Sequence, residues 1–283
     1  MNFSPTGETS IRLAACVGTL LLMLAWERLF PRRRPLPGHA VRQAHNLLLV
    51  ALGTLLIRAL PLVSMLSAAA VADRHGWGLL HSVRLPFWVD VAGSVVLLDL
   101  AIYMQHLVFH RIPLLWRLHR VHHTDREVDT TTGIRFHPLE LLISVVYKSG
   151  VVILTGAPVA AVAAFEILLN VSSLFNHGNV VITDSVDRAL RTLIVTPDMH
   201  RVHHSVIRTE TDSNYGFNLS IWDRLFGTYR AQPADGHELM QIGQTEFQQL
   251  DVVNVGSLLW QPFMASGRTG GSTMEKHDQG GSL

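Results

Sequence analysis

Apolar stretches long enough to cross a bilayer recur along this chain, and they restrict it to helices packed within a membrane. A spanning helix needs about 20 mostly apolar residues. The first candidate runs from about Ile11 to Phe30, the second from about Gln43 to Leu66 and the third from about Pro86 to His110. From Pro138 to Phe175 the chain is apolar again, with Gly156-Ala157-Pro158 near the middle, which suits two spans joined by a tight turn. Only 16% of the 283 residues are charged against 48% apolar, a poor balance for an ordinary soluble enzyme. A signal peptide fits the first run badly: Pro31-Arg32-Arg33-Arg34 follow it instead of preceding it, and Glu27 spoils a cleavage site.

By the positive-inside rule those arginines stay cytoplasmic and the N-terminus lies outside. The second span then leads to a short outer loop around Asp73 to Leu85, and the third returns the chain to the cytoplasm. There it meets three histidine boxes: His106-Leu-Val-Phe-His110, His119-Arg-Val-His122-His123 and His200-Arg-Val-His203-His204. Residues His119 to His137 are too polar to cross, and the apolar hairpin after them leaves and re-enters the same face. Every box is therefore expected on one side of the bilayer, an agreement that hydropathy alone does not force.

On a helix, residues three and four apart share a face, so each box points its imidazoles one way. Imidazole nitrogen is the commonest ligand for redox-active first-row metals. Eight converging nitrogens are too many for one ion and suit two. A structural zinc site needs three or four ligands. A zinc hydrolase would carry a carboxylate between its histidines, as in H-E-x-x-H, where this chain has Arg-Val or Leu-Val-Phe. His177, at the returning end of the hairpin, is expected as a ninth ligand. His137, at the departing end, reads either as a ligand or as a residue that positions one. His39, His45, His75, His81, His237 and His277 read as ordinary hydrogen-bonded or exposed side chains. The lone Cys16 offers neither a disulfide nor a thiolate site, and a formal net charge of +1 without a basic stripe argues against nucleic acid.

The expected fold is all-α: an integral membrane bundle of four to five transmembrane helices with a cytoplasmic helical cap carrying a histidine-rich di-metal site. Residues 1–85 would supply N-terminal spans, 86–230 the catalytic domain, 231–263 an amphipathic segment and 264–283 a disordered Gly/Ser-rich tail. Glu246 to Phe263 reads as an interfacial helix. Within the spans, Lys148 and Glu166 fall at similar depth and are expected to form an ion pair. Asp99 and Tyr103 share the face of His106 and His110, where Asp99 would orient a ligand or line a substrate channel. Metal-bound histidines usually donate their second N–H to a carboxylate or carbonyl. Asp125, Asp198, Asn214, Trp222 and Asp223 are candidates for that work, with Asp198 and Asp223 best placed; a helix cap or turn is the rival reading.

The order HxxxH, HxxHH, HxxHH with spans between resembles the fatty acid hydroxylase (sterol desaturase) superfamily. The resemblance extends to Arg111-Ile-Pro-Leu-Leu-Trp116, Arg135-Phe-His-Pro-Leu-Glu140, Thr196-Pro-Asp-Met-His200 and Asn214 through Thr228, and covers about Asp99 to Thr228. Many relatives have arginine directly after the first histidine, where this chain has Leu107. The resemblance implies a di-iron centre, held by His106, His110, His119, His122, His123, His200, His203 and His204, that activates O2 and oxidises an unactivated C–H bond of a lipid. Zinc could replace iron in purified protein. The chain has no G-x-G-x-x-G fingerprint, Walker loop or His-Pro-Gly-Gly haem signature, so a separate electron donor, a ferredoxin or a cytochrome with its reductase, is implied.

Hydroxylation, desaturation and ether-lipid monooxygenation remain open, as does the substrate among fatty acyl, sterol-like, ether and carotenoid lipids. A metal transporter would spread its ligands along a crossing path, and a non-catalytic lipid-binding relative would be expected to have lost box histidines. The length and simple architecture suggest a bacterial inner membrane.

Overall fold

The computed structural model describes residues 5–60, 64–248 and 254–264, with side chains from residue 10 onward. The regular elements among them are helices: α1 (Pro5–Leu29), α2 (His39–Arg58), α3 (Met65–His75), α4 (Phe87–Arg111), α5 (Pro113–His123), α6 (Pro138–Thr155), α7 (Val159–Asn176), α8 (Asp184–Leu190), α9 (Pro197–His203) and shorter turns beyond. Five are long and apolar enough to cross a membrane: Ser10–Leu29 within α1, and all of α2, α4, α6 and α7. Their outward faces carry exposed leucines such as Leu21, Leu22, Leu55 and Leu154, the surface expected of helices solvated by lipid. Of the expected tail, 264–283, all but Met264 lies outside the described residues.

The second span is shorter than its apolar run suggests. α2 stops at Arg58, and a separate helix, α3, starts at Met65 behind a reciprocal Ser64/Ser67 capping box. Pro61 accounts for the break, because proline lacks an N–H and disfavours helix in the residue before it. α3 lies against the α6–α7 hairpin. Met65, Ala68 and Ala69 pack there with Leu98 and Ile102 of α4 and with Val152, Val162 and Phe165. The hairpin turns at Gly156, whose φ of 71° is left-handed. A Cβ on Gly78 would sit 2.1 Å from the Gly156 amide nitrogen, so both glycines are needed for this contact.

The hairpin does not hold the expected ion pair. Glu166 instead meets Arg12 of α1 at 2.7 Å, and no Lys148–Glu166 bridge forms among the described residues. Equal depth left the rotation of each helix unspecified, and α7 turns Glu166 toward α1, its neighbour.

At the other end, buried polar contacts tie the spans to the histidine-bearing segments. Glu27 of α1 accepts from the amides of Thr130 and Asn179 and from the Thr130 hydroxyl, at 2.7–2.8 Å. Arg42 of α2 meets Asp125 at 2.5 Å, Glu127 at 2.9 Å, and Asp129. On α5, Arg117 and Arg120 lie three apart on the face away from the cluster and donate to backbone carbonyls of Pro262, Gln261 and Met264. The interfacial helix expected over Glu246 to Phe263 is, where described, three short pieces: a turn at Thr245–Phe247, a helix at Val255–Trp260 and a turn at Gln261–Phe263. Phe247 and Leu258 are buried against Leu49 and Val121, so these apolar residues serve the protein interior. Residues 249–253 lie outside the described set.

Candidate metal centre

α4 delivers His106 and His110 on successive turns, and Pro113 then starts α5, which brings His119, His122 and His123 back against them. α9, capped by the Thr196 hydroxyl and opened by Pro197, adds His200 and His203, with His204 at its C-terminal end. α7 ends at Asn176 and leaves His177 as its cap. The result is two buried groups: His106, His110, His119, His123 and His203 in one, His122, His177, His200 and His204 in the other. Within each, the candidate ligand atoms all lie within 4.8 Å of one another. The groups share a wall, with the His123 and His204 rings stacked at 4.6 Å.

Several imidazoles have their tautomer set by backbone. The Nδ1–H of His106 donates to the Tyr215 carbonyl at 2.9 Å, that of His203 to Ser213 at 2.7 Å and that of His177 to Ser173 at 2.7 Å. A carbonyl can only accept, so each Nε2 carries a lone pair into the cluster. The carboxylate of Glu140 plays the same part for His119 Nδ1 at 2.6 Å, and Asp212 lies 3.4 Å from His110 Nδ1. Gly133 lets its loop approach this wall: a Cβ there would be 2.5 Å from the Ser173 carbonyl oxygen and 3.1 Å from His177 Nδ1.

The arrangement fits metal ions. Among the described residues, Nε2 of His106 and His203 and both nitrogens of His123 and His204 are buried without a hydrogen-bond partner, a costly state unless something else binds them. His122 Nε2 and His200 Nε2 lie 3.1 and 3.0 Å from His177 Nε2. Two nitrogens bound at metal–nitrogen distances of about 2.0–2.1 Å, at 90–109° to one another, would be about 2.8–3.4 Å apart. Burial favours the neutral form of several of these imidazoles as well. Desolvation first, then neighbouring imidazoles, push His122, His123, His200 and His204 well below the usual histidine range, and desolvation does the same to His203. Burial brings His177 down to about 4. Neutral imidazoles are the form that binds metal.

The other expected residues are placed differently. His137 caps α6, accepting from the Leu139 amide at 3.2 Å, and faces the Leu259 carbonyl with its Nε2 at 3.3 Å; it belongs to neither group. Asp99 accepts from the Asn218 side chain (2.7 Å), Trp222 Nε1 (2.8 Å) and the Leu219 amide (3.1 Å), so it anchors the 218–222 loop instead of orienting a ligand. Tyr103 shares a hydrogen bond with Thr228 at 2.9 Å. Asp125 answers Arg42 and Thr132. Asp198 pairs with Arg201 and Arg32, because residues two apart on a helix face away from each other and His200 is out of reach. Asn214, at φ 50°, donates to the Met199 and Arg230 carbonyls. Asp223 acts one step removed: it holds the amides of Tyr215 and Gly216 at 2.7 and 2.8 Å, and the Tyr215 carbonyl holds His106. The residues missed were Glu140, Asp212 and the carbonyls of Ser173, Ser213 and Tyr215. Glu140 alone had a sequence signal, an acid in the first turn after His137-Pro138.

A cavity of about 190 Å³ abuts both groups. His106, His119, His122 and His200 line it together with the apolar Ile102, Phe109, Leu141 and Leu169 of membrane-spanning helices and Phe217 of the loop beyond α9.

Such a bundle, with two all-imidazole clusters beside a lipid-level cavity, defines a class of membrane protein able to hold metal ions. Residues 91–228 match the family described as fatty acid hydroxylase. Ornithine lipid hydroxylase OlsE of Rhizobium tropici is 27% identical over 226 residues, covering 77% of this chain and 66% of that protein. Alkylglycerol monooxygenase of Danio rerio is 30% identical over 176 residues, 60% of this chain and 37% of that protein. Lathosterol oxidase of Homo sapiens is 26% identical over 183 residues, 62% and 58% respectively. The match thus spans about two thirds of the length of the first relative and little over a third of the second. No solved structure gives a significant match. Residues 91–228 thus form a fatty acid hydroxylase domain, and the relatives named above are a lipid hydroxylase, a monooxygenase and a sterol oxidase.

Proposed function

We propose that this protein is a membrane-bound di-iron oxygenase that uses O2 and two externally supplied electrons to hydroxylate a C–H bond of a lipid. The observation that carries the reading is the junction of nine buried imidazoles, their candidate ligand nitrogens gathered in two compact groups, with an apolar cavity between membrane-spanning helices. Two irons held by the two histidine groups would supply the oxidising power that an unactivated C–H bond demands. The residues of the chain do the rest. His106 and His119 from one group and His122 and His200 from the other border the cavity, so a lipid segment there meets both. Phe109, Leu141 and Phe217 keep water from that segment. Tyr215, Ser213, Ser173 and Glu140 hold the rings in place. The relatives' names, a lipid hydroxylase, an alkylglycerol monooxygenase and a sterol oxidase, support a lipid C–H bond as the target.

Electrons come from a separate ferredoxin or cytochrome partner. The arginines at 32–34 favour a cytoplasmic histidine end, and the OlsE relative favours a bacterial inner membrane. The test is metal content of anaerobically prepared, iron-replete protein in detergent beside His203→Ala. About two irons per chain, lost in the variant, with expressing cells gaining lipids heavier by one oxygen, is the expected result. Protein holding no stoichiometric metal refutes the reading. Zinc in place of iron, with activity restored on exchange for iron, supports it.

A further inference from the structure

Lys148 makes no hydrogen bond or ion pair among the described residues, although it sits in the middle of a membrane-spanning helix and lines the cavity. An ammonium at that depth is costly and ordinarily faces a partner or a polar cavity. Its expected partner, Glu166, is engaged by Arg12 at 2.7 Å, and these two opposite charges act on Lys148 only at longer range. Gln105, the residue before His106, also lines the cavity and uses its side-chain carbonyl to accept from Ser144 at 3.4 Å, which leaves its amide N–H groups as donors between Lys148 and the histidines. Lys148 thus brings a cationic donor to a cavity whose other polar lining residues include Gln105, Glu140, Ser144 and Asn170. Eight residues of α6 separate Lys148 from Glu140, the residue that holds His119, a distance of about 12 Å along the helix axis.

We propose that the cavity takes a lipid carrying a hydrogen-bond-accepting oxygen group some distance from the carbon that meets the histidine end, and that Lys148 receives that oxygen. This rests on the oxygenase reading only for the identity of the second point as the site of oxidation. A plain hydrocarbon segment would leave the ammonium unanswered; a carboxylate, hydroxyl or carbonyl oxygen would answer it. Lys148 is thus a specificity-determining residue, placing one atom of the lipid so that another is presented about two helical turns away.

The experiment is equilibrium binding of radiolabelled stearic acid, stearyl alcohol and octadecane to the full-length protein in detergent, with metal content measured on each preparation. Wild type is expected to bind the acid, or the acid and the alcohol, at least about tenfold more tightly than octadecane. Preference for the acid alone identifies an anionic group; preference for both identifies any acceptor oxygen. Lys148→Met, which removes a charge from membrane depth and so keeps the fold, should bring the three ligands level, and Lys148→Arg should keep the preference. Equal binding of all three by wild type, or an undiminished preference in Lys148→Met, overturns the proposal. Equal binding by an iron-loaded protein that still oxidises lipid removes this inference and leaves the oxygenase reading. The preference in a protein unable to hold metal removes that reading and leaves an oxygen-selective lipid site.

Discussion

Replacing Glu140 tests whether the histidine cluster depends on its outer partners. Glu140 lies in the first turn of α6, where a negative charge is favoured by the helix N-terminus, and accepts from His119 Nδ1 at 2.6 Å. Both side chains are buried, at 7% and 5% exposure, so water cannot replace the contact. Glu140→Gln keeps an acceptor oxygen but removes the charge, and charge-assisted bonds are about twice as strong as neutral ones. Loss of such an outer partner typically weakens metal binding about 10–100-fold. Gln should therefore cost about tenfold and Ala up to about a hundredfold, or about 1.4 and 2.7 kcal/mol. The assay is competition for zinc(II) or iron(II) against a chelator of known affinity, with thermal unfolding of the metal-free protein as a control. Metal-free Glu140→Gln should unfold no earlier than wild type, because a neutral amide is easier to bury than a carboxylate. Wild-type metal affinity in both variants would refute the argument, as would loss of the metal-free fold in Glu140→Gln.

Two further perturbations separate the scaffold from the cluster. Asp99→Ala leaves Trp222 Nε1 and the Asn218 and Leu219 donors without an acceptor, which should destabilise the fold by about 3 kcal/mol and lower its thermal midpoint; an unchanged midpoint would show that Asp99 does not anchor the loop. Acidification should destabilise the metal-free protein. His177 titrates near 4 in the fold against about 6.5 when unfolded, so between those values the unfolded chain binds more protons. Stability is then level above about pH 6.5 and falls as pH drops toward 4, and a flat thermal-unfolding profile across that window would contradict the buried neutral imidazoles.

The spans were legible because length and apolarity are what a bilayer selects, and the α6–α7 turn because Gly156 and Pro158 mark it. The box histidines and His177 were legible because few other roles explain so many imidazoles at helical spacing and at span ends. Their partners were mostly hidden. Every residue has a carbonyl, so nothing marks those of Ser173, Ser213 or Tyr215 until the chain folds. Asp198 drew notice through nearness in sequence to His200, but helical rotation turns it to Arg201. Lys148 and Glu166 show the same limit in the membrane: hydropathy sets depth, while packing of α1 on α7 sets which way Glu166 faces. His137 sat at the right end of its helix, and there the nearest unmet need was the Leu139 amide.

The fastening of α5 bears on the order in which the molecule is made. Arg120 lies inside the second histidine box, and the carbonyl of Gln261 that accepts from it is 141 residues further along the chain. The Met264 carbonyl on the same guanidinium is later still. A ribosome thus releases His119, His122 and His123 long before it supplies the groups that brace their helix. The nascent chain can insert its spans as they emerge, whereas the full set of braces on α5 closes only once residues 261–264 have been made. Until then α5 holds its three histidines without these contacts to fix it to the rest of the fold.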